Sequence, residues 1–327
     1  MAQFLAAHPE IFMARKEMHM FGRDLRFGPR FYRRDLENYL AEFSECRGQK
    51  RTGEASVWYL FSEQAASEIK AFNPDSRIIV MLRDPVEMLF SLYHEFRWDG
   101  NENLPSFEAA LAAEPARLAG RLLTRRTYFA QGLVYRRVAR FTEQIRRYFD
   151  AFGRARVHVV LYDDFAADPA AAYRNLLSFL ELEADKNQPR FPVINGNKIV
   201  KSSLLRSLFG DQWLRSKAIS FARHLPKPLF KALQNAEEKL WRLNTRSCKR
   251  SPLDPGLRRL LSEQLRPEIE QLGHLLGRDL SHWSNPAGDF LDHTHTKDAL
   301  REPGLAPMVG SLQSVGKEQA AGLCPSA

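Results

Sequence analysis

The stretch RIIVMLRDPVEMLFSLYHEF at 77–96 constrains the fold more than any other part of the chain. RIIVML (77–82) is short, apolar and rich in β-branched residues, as expected of a strand buried in a parallel sheet. Arg83-Asp84-Pro85 ends it. Asp84 suits a helix N-cap, Pro85 suits the first helical position, and VEMLFSLYHEFRW continues with helical periodicity. Strand, polar turn and helix make half of a βαβ unit. A second strand, VHVVLY at 157–162, follows Gly153 and leads through Asp163-Asp164 and Asp168-Pro169 into a helix ending near Leu180. Strands alternating with helices predict an α/β fold, a parallel sheet with helices on both faces.

The remaining segments read mostly as helices. Residues 1–15 are expected to form a helix running into a loop at His8-Pro9. Residues 31–45 carry Tyr32, Leu36, Tyr39, Leu40 and Phe43 at helical spacing, and 62–72 form an amphipathic helix closed by Asn73-Pro74-Asp75. Helices are also expected over 106–123, 134–152 and 255–280, the last leading to Trp283. Segment 201–245 is basic and amphipathic, interrupted at Pro226 and Pro228. It reads as a helical cap on the sheet, a surface for an anionic acceptor, or, through Trp213, Phe221, Phe230 and Trp241, a contact with a membrane surface. From 286 the composition turns to Pro, Gly, Ser and Ala without periodicity. The expected organisation is one α/β domain over 1–285 and a disordered tail over 286–327.

Charge narrows the partner class. Lys and Arg total 48 against 39 Asp and Glu, a net charge of +9. The chain has no zinc-finger spacing, no basic–aromatic RNA motif and no compact basic arm, so an anionic nucleotide or substrate is expected rather than nucleic acid. Cys46, Cys248 and Cys324 are far apart and form no C-x-x-C pair. This argues against a disulfide framework or a zinc site and suits a reducing, cytoplasmic setting. No metal-ligand cluster is expected. No apolar run reaches the length of a membrane span, and MAQFLAAHPEIF lacks the form of a signal peptide. Oligomeric state leaves no mark in the sequence.

Arg83 at a strand end and Ser91 on the following helix are an Arg and a hydroxyl placed to grip a terminal phosphate. Taken singly, Arg83 reads as well as a salt bridge to Asp84 or another acid at the strand end, and Ser91 as a surface hydroxyl. Their joint order, with Tyr93, resembles the 3′-phosphate-binding segment of sulfotransferases that use 3′-phosphoadenosine-5′-phosphosulfate (PAPS). Other segments resemble the carbohydrate-sulfating branch of that family and its bacterial relatives, in the family's order: ARKEMHMFGRD (14–24), GEASVWYL (53–60), VHVVLYDDFAADPAAAYRNLLSFLEL (157–182) and LRPEIEQLGHLLGRDLSHW (265–283).

The resemblance implies a P-loop-like parallel sheet, PAPS as sulfuryl donor, no metal, and a hydroxyl- or amine-bearing acceptor, with a lean to carbohydrate. It implies Glu17 as the base for the acceptor hydroxyl, against a surface carboxylate paired with Lys16 or Arg15. Lys16 would contact an anion or stand solvated. His19 is a second candidate base or a core-edge histidine.

One element of the family is missing. Its first strand and the Gly-rich, Lys-bearing loop that wraps the 5′-phosphosulfate have no counterpart, and MAQFLAAHPEIF resembles the helix just after that loop. Gly316-Lys317 is followed by Glu318, so it makes no phosphate loop. The expectation is therefore a sulfotransferase whose N-terminus is truncated here and which is inactive as written. The alternative is a non-catalytic remnant that binds a nucleotide or a partner. A P-loop kinase-like enzyme would need Asp163 or Asp164 as a magnesium ligand; a loop or capping role is the competing reading.

Overall fold

The computed structural model describes residues 1–14, 17–28, 35–183, 198–200, 245–247 and 252–285. In chain order its described helices are α1 (Ala2–Leu5), α2 (Leu36–Ala41), α3 (Ala65–Phe72), α4 (Pro85–Asp99), α5 (Phe107–Ala112), α6 (Glu114–Leu118), α7 (Tyr135–Val138), α8 (Phe141–Phe152), α9 (Tyr162–Ala167), α10 (Pro169–Phe179), α11 (Pro255–Leu276) and α12 (Ser281–Ser284). The strands are β1 (Ile11–Met13), β2 (Arg51–Gly53), β3 (Ile78–Leu82), β4 (Val157–Leu161), β5 (Lys198–Val200) and β6 (Thr245–Ser247).

The fold is α/β, as expected, and its main pairings are parallel. β1 pairs with β2, and β3 with β4 in a register running from Ile78 opposite Val157 to Leu82 opposite Leu161. β5 and β6 form a short antiparallel pair. Among the described residues no ladder joins β1–β2 to β3–β4. The two parallel pairs are tied at their N-terminal ends instead. Arg51 Nε donates to Leu180 O at 2.8 Å and Arg77 Nη1 to Phe179 O at 2.6 Å, and both guanidiniums pair with Glu181. Both pairs start at the C-terminal end of α10, so their other ends carry Glu17 and Arg83 away from it.

The core forms where apolar helix faces meet the strands. Leu89 and Phe96 of α4, Ile145 of α8, Leu261 and Ile269 of α11 and Trp283 of α12 are buried in one cluster. Each contributes about 1.5–3 kcal/mol by leaving water. A second cluster packs Phe4 and Leu5 of α1 and Ile11 of β1 against Tyr173, Leu176 and Leu177 of α10. β3 is less covered than its apolar run predicts. Val80 and Leu82 are buried, but Ile78 and Ile79 are half-buried and Met81 is exposed, because among the described residues only β4 pairs with it.

Several boundaries differ from the sequence reading. The N-terminal helix ends at Leu5, and Ile11–Met13 is a strand rather than helix or loop. Strand β2, Arg-Thr-Gly, has no β-propensity signature; pairing with β1 creates it. The helix expected over 106–123 divides at Ala113 and ends before Gly120, whose φ of +72° is left-handed backbone that glycine adopts without steric cost. The helix over 134–152 divides into α7 and α8. Segments 201–244 and 286–327, and with them the basic cap and the tail, lie outside the described residues.

Candidate active site

Glu17 stands four residues after β1, in an irregular segment that makes no ladder of its own. Glu17 and His19 both have left-handed backbone, with φ of +61° and +49°. Non-glycine residues hold such angles only where their surroundings impose them. The Glu17 N–H donates to Ala55 O at 2.8 Å, and its carboxylate oxygen Oε2 accepts from the Val57 N–H at 3.2 Å. The same oxygen lies 3.4 Å from His19 Nε2. The Glu17 side chain is 41% exposed, whereas that of His19 is 6% exposed.

The His19 ring packs tilted against Phe27, with centroids 4.6 Å apart, and its Nδ1 is buried with no hydrogen-bond partner. Burial pushes its pKa down to about 4, so the ring is neutral at physiological pH. Phe27 stacks in turn on Phe129, which meets Trp58 edge-on. A carboxylate with one face in water beside a neutral imidazole on an aromatic wall is an arrangement able to take a proton from a substrate hydroxyl. Lys16 lies outside the described residues.

The segment 53–68 supplies the framework around Glu17. The partly buried Glu54 accepts from Ser56 Oγ at 2.9 Å and from Tyr59 Oη at 2.7 Å. Burial raises the Glu54 carboxyl above its ordinary range, opposed by those two bonds. Both hydroxyls accept from the 19–21 backbone: His19 N–H reaches Ser56 Oγ, and the Met20 and Phe21 N–H groups reach Tyr59 Oη at 2.8 and 3.3 Å. The sequence shows these residues as a resemblance but does not disclose their contacts.

Arg83 follows β3 directly, and Ser91 lies on the next helix, α4. Arg83 Nη2 lies 3.6 Å from Glu87, and its guanidinium is 5.7 Å from the Tyr162 ring centre. Its side chain is 35% exposed, so it can turn to an anion at the strand end. Ser91 lies four residues after Glu87, in the row along α4 that Arg83 and Glu87 begin. Asp84 is the N-cap, accepting from the Val86 N–H at 2.8 Å, and Arg258 of α11 clamps Asp84 at 2.9 Å while also pairing with Glu87. The salt bridge foreseen for Arg83 is therefore to Glu87, while Asp84 takes Arg258. The structure thus brings Glu17 to His19, while Arg83 follows β3 and Ser91 lies on α4.

Two further acids have structural partners. Asp163 Oδ2 accepts from Trp283 Nε1 at 2.5 Å and lies 3.0 Å from His282 Nε2, and Asp164 pairs with Arg278 at 2.9 Å. They lie in the first turn of α9 rather than in a loop, and dock the end of α11 and α12 on it. Among the described residues no cluster of three His, Cys, Asp or Glu could hold a metal ion, and no helix is long and apolar enough to cross a membrane.

Parallel strands, an Arg-Asp-Pro turn at one strand end and a held carboxylate at another define a protein of the α/β class. A sequence profile described as "Sulfotransferase family" matches residues 30–186, which include Arg83 and Ser91 and begin after Glu17. The chain is similar to the mouse heparan sulfate glucosamine 3-O-sulfotransferases 3B1, 26% identical over 181 residues, and 3A1, 26% identical over 185 residues. Each match covers 55% of this chain and 42% of the relative, so less than half of those relatives' length is represented. A crystal structure of a sulfotransferase from Alicyclobacillus acidocaldarius superposes with a TM-score of 0.61 at 27% identity, covering 86% of this chain and 92% of that one. Over residues 30–186 and in its fold, the chain is similar to members of the sulfotransferase family.

Proposed function

We propose that this chain carries the acceptor base and the 3′-phosphate grip of a PAPS-dependent sulfotransferase acting on a hydroxyl, with carbohydrate as the acceptor class. The observation that carries it is Glu17, a half-exposed carboxylate held in left-handed backbone and facing a buried, neutral His19 at 3.4 Å. The carbohydrate lean rests on the names of the mouse relatives. PAPS, when bound, supplies the sulfuryl group. Arg83 and Ser91 would hold its 3′-phosphate through a forked cation and a hydroxyl donor. Glu17 would take the proton of the attacking hydroxyl, with His19 keeping that carboxylate in place.

Calorimetry with 3′-phosphoadenosine-5′-phosphate tests the reading on this chain, on a form extended through any in-frame upstream codons, and on Arg83→Ala in each. Binding by the extended form that Arg83→Ala abolishes supports the enzyme. Absence of binding by every form sinks it and leaves the alternative, a non-catalytic remnant of the fold that engages a partner.

A further inference from the structure

The five successive N–H groups from His19 to Arg23 have no strand or helix to bond to, yet each is satisfied by a side-chain oxygen of one short downstream segment. His19 donates to Ser56 Oγ at 3.2 Å, Met20 and Phe21 to Tyr59 Oη, Gly22 to Glu68 Oε2 at 2.8 Å and Arg23 to Glu68 Oε1 at 3.2 Å. Two bonds flank them. Glu17 N–H reaches Ala55 O, and the Asp24 carboxylate accepts from Ser62 Oγ at 2.5 Å. Unmet main-chain donors away from water are costly, so an irregular segment keeps one conformation only if something supplies acceptors.

The supply is itself anchored. Glu54 takes the hydroxyl protons of Ser56 and Tyr59, which turns the lone pairs of both hydroxyls toward the 19–21 backbone. Each link from N–H through hydroxyl to carboxyl polarises the next. The Val57–Tyr59 turn is pinned from behind by α8, where Tyr148 Oη donates to Tyr59 O at 2.8 Å and Arg147 Nη2 reaches Phe61 O at 3.3 Å. Gly22 completes the fit: its φ is +86°, and a Cβ there would stand 2.9 Å from Ser62 Oγ.

We propose that Glu54, Ser56, Tyr59 and Glu68 are positioning residues, a side-chain template that imposes the left-handed backbone of Glu17 and His19 and so sets the carboxylate against the imidazole. Its bearing on turnover rests on the sulfuryl-transfer reading above. The template itself stands on the hydrogen bonds. Its effect is local, which separates it from a general contribution to stability.

The test uses the full chain and the variants Tyr59→Phe, Glu54→Gln and Ser56→Ala, with Ser56→Thr as the conservative control. Amide hydrogen exchange is followed residue by residue, and the His19 ring is titrated by NMR. In Tyr59→Phe, exchange at Met20 and Phe21 is expected to speed by about tenfold or more, with β3 and α4 unchanged. The His19 midpoint should climb from about 4 toward its ordinary 6.5 as the ring escapes its buried site. Ser56→Ala should free His19 and Ser56→Thr should restore it. Should Tyr59→Phe fail to fold, the Ser56 pair decides alone. Unchanged exchange at 19–21, a His19 midpoint still near 4, or loosening spread evenly through the chain overturns the proposal. Binding of 3′-phosphoadenosine-5′-phosphate, measured in parallel, reports on the enzyme reading separately, because Arg83 after β3 and Ser91 on α4 lie outside the segments that form the template.

Discussion

At the scale of single residues, Glu17 and Arg83 are each held by a neighbour that a sequence does not reveal. Glu17→Gln keeps the Val57 N–H bond through its amide oxygen but loses the base. In a form that turns over, the rate should fall by at least about a hundredfold, with nucleotide affinity unchanged in calorimetry. Arg83 shares Glu87 with Arg258, so a negative charge stands beside the proposed phosphate position. Glu87→Gln should tighten 3′-phosphoadenosine-5′-phosphate binding by roughly threefold to tenfold, while Arg83→Ala abolishes it. The sequence made Glu17, His19, Arg83 and Ser91 visible through their order along the chain. It could not show that Glu54, Ser56 and Tyr59 serve the backbone of 19–21, since those contacts cross some forty residues and depend on where two strands pair.

At the scale of elements, α4 was legible because its signals are local. Asp84 caps it, Pro85 opens it and Gly100, at φ +91°, closes it. Asp84→Ala should cost about 1–2 kcal/mol in urea unfolding, combining a lost cap with the loss of one Arg258 partner. Arg258→Met should cost less, because both acids keep the α4 N-terminal amides or Arg83 as partners. β1 and β2 were not legible. Three residues carry no readable period, and Arg51-Thr52-Gly53 offers no β-branched run; their strand character comes from each other.

At the scale of the whole molecule, two buried groups set opposing pH responses. Burial raises Asp99 to about 7, against the bonds it accepts from Tyr128 and the Asn101 N–H, and burial lowers His19 to about 4. A carboxyl raised on folding contributes stability that is complete below its ordinary pKa of 3.8 and is lost as pH rises through about 7. An imidazole lowered on folding contributes stability that is complete above 6.5 and is lost as pH falls through about 4. Between those limits the two slopes, each on the order of 1.4 kcal/mol per pH unit, cancel. Relative to the parent, Asp99→Asn should therefore lose stability on acidification from pH 6.5 to 4, and His19→Gln should gain it, in urea midpoints measured across that range. An unchanged profile in both would show that neither group titrates as its burial requires. The sequence by itself determined the α/β class, the strand–turn–helix that delivers Arg83 and Ser91, and the resemblance to sulfotransferases, because these rest on local periodicity, capping and order. Only the tertiary structure decided that β1 and β2 are strands, that Glu17 meets His19, that Arg83 leans on Glu87, and that side chains rather than a ladder hold the 19–23 backbone. Those outcomes depend on groups distant in sequence meeting at hydrogen-bond distance, which no local pattern encodes.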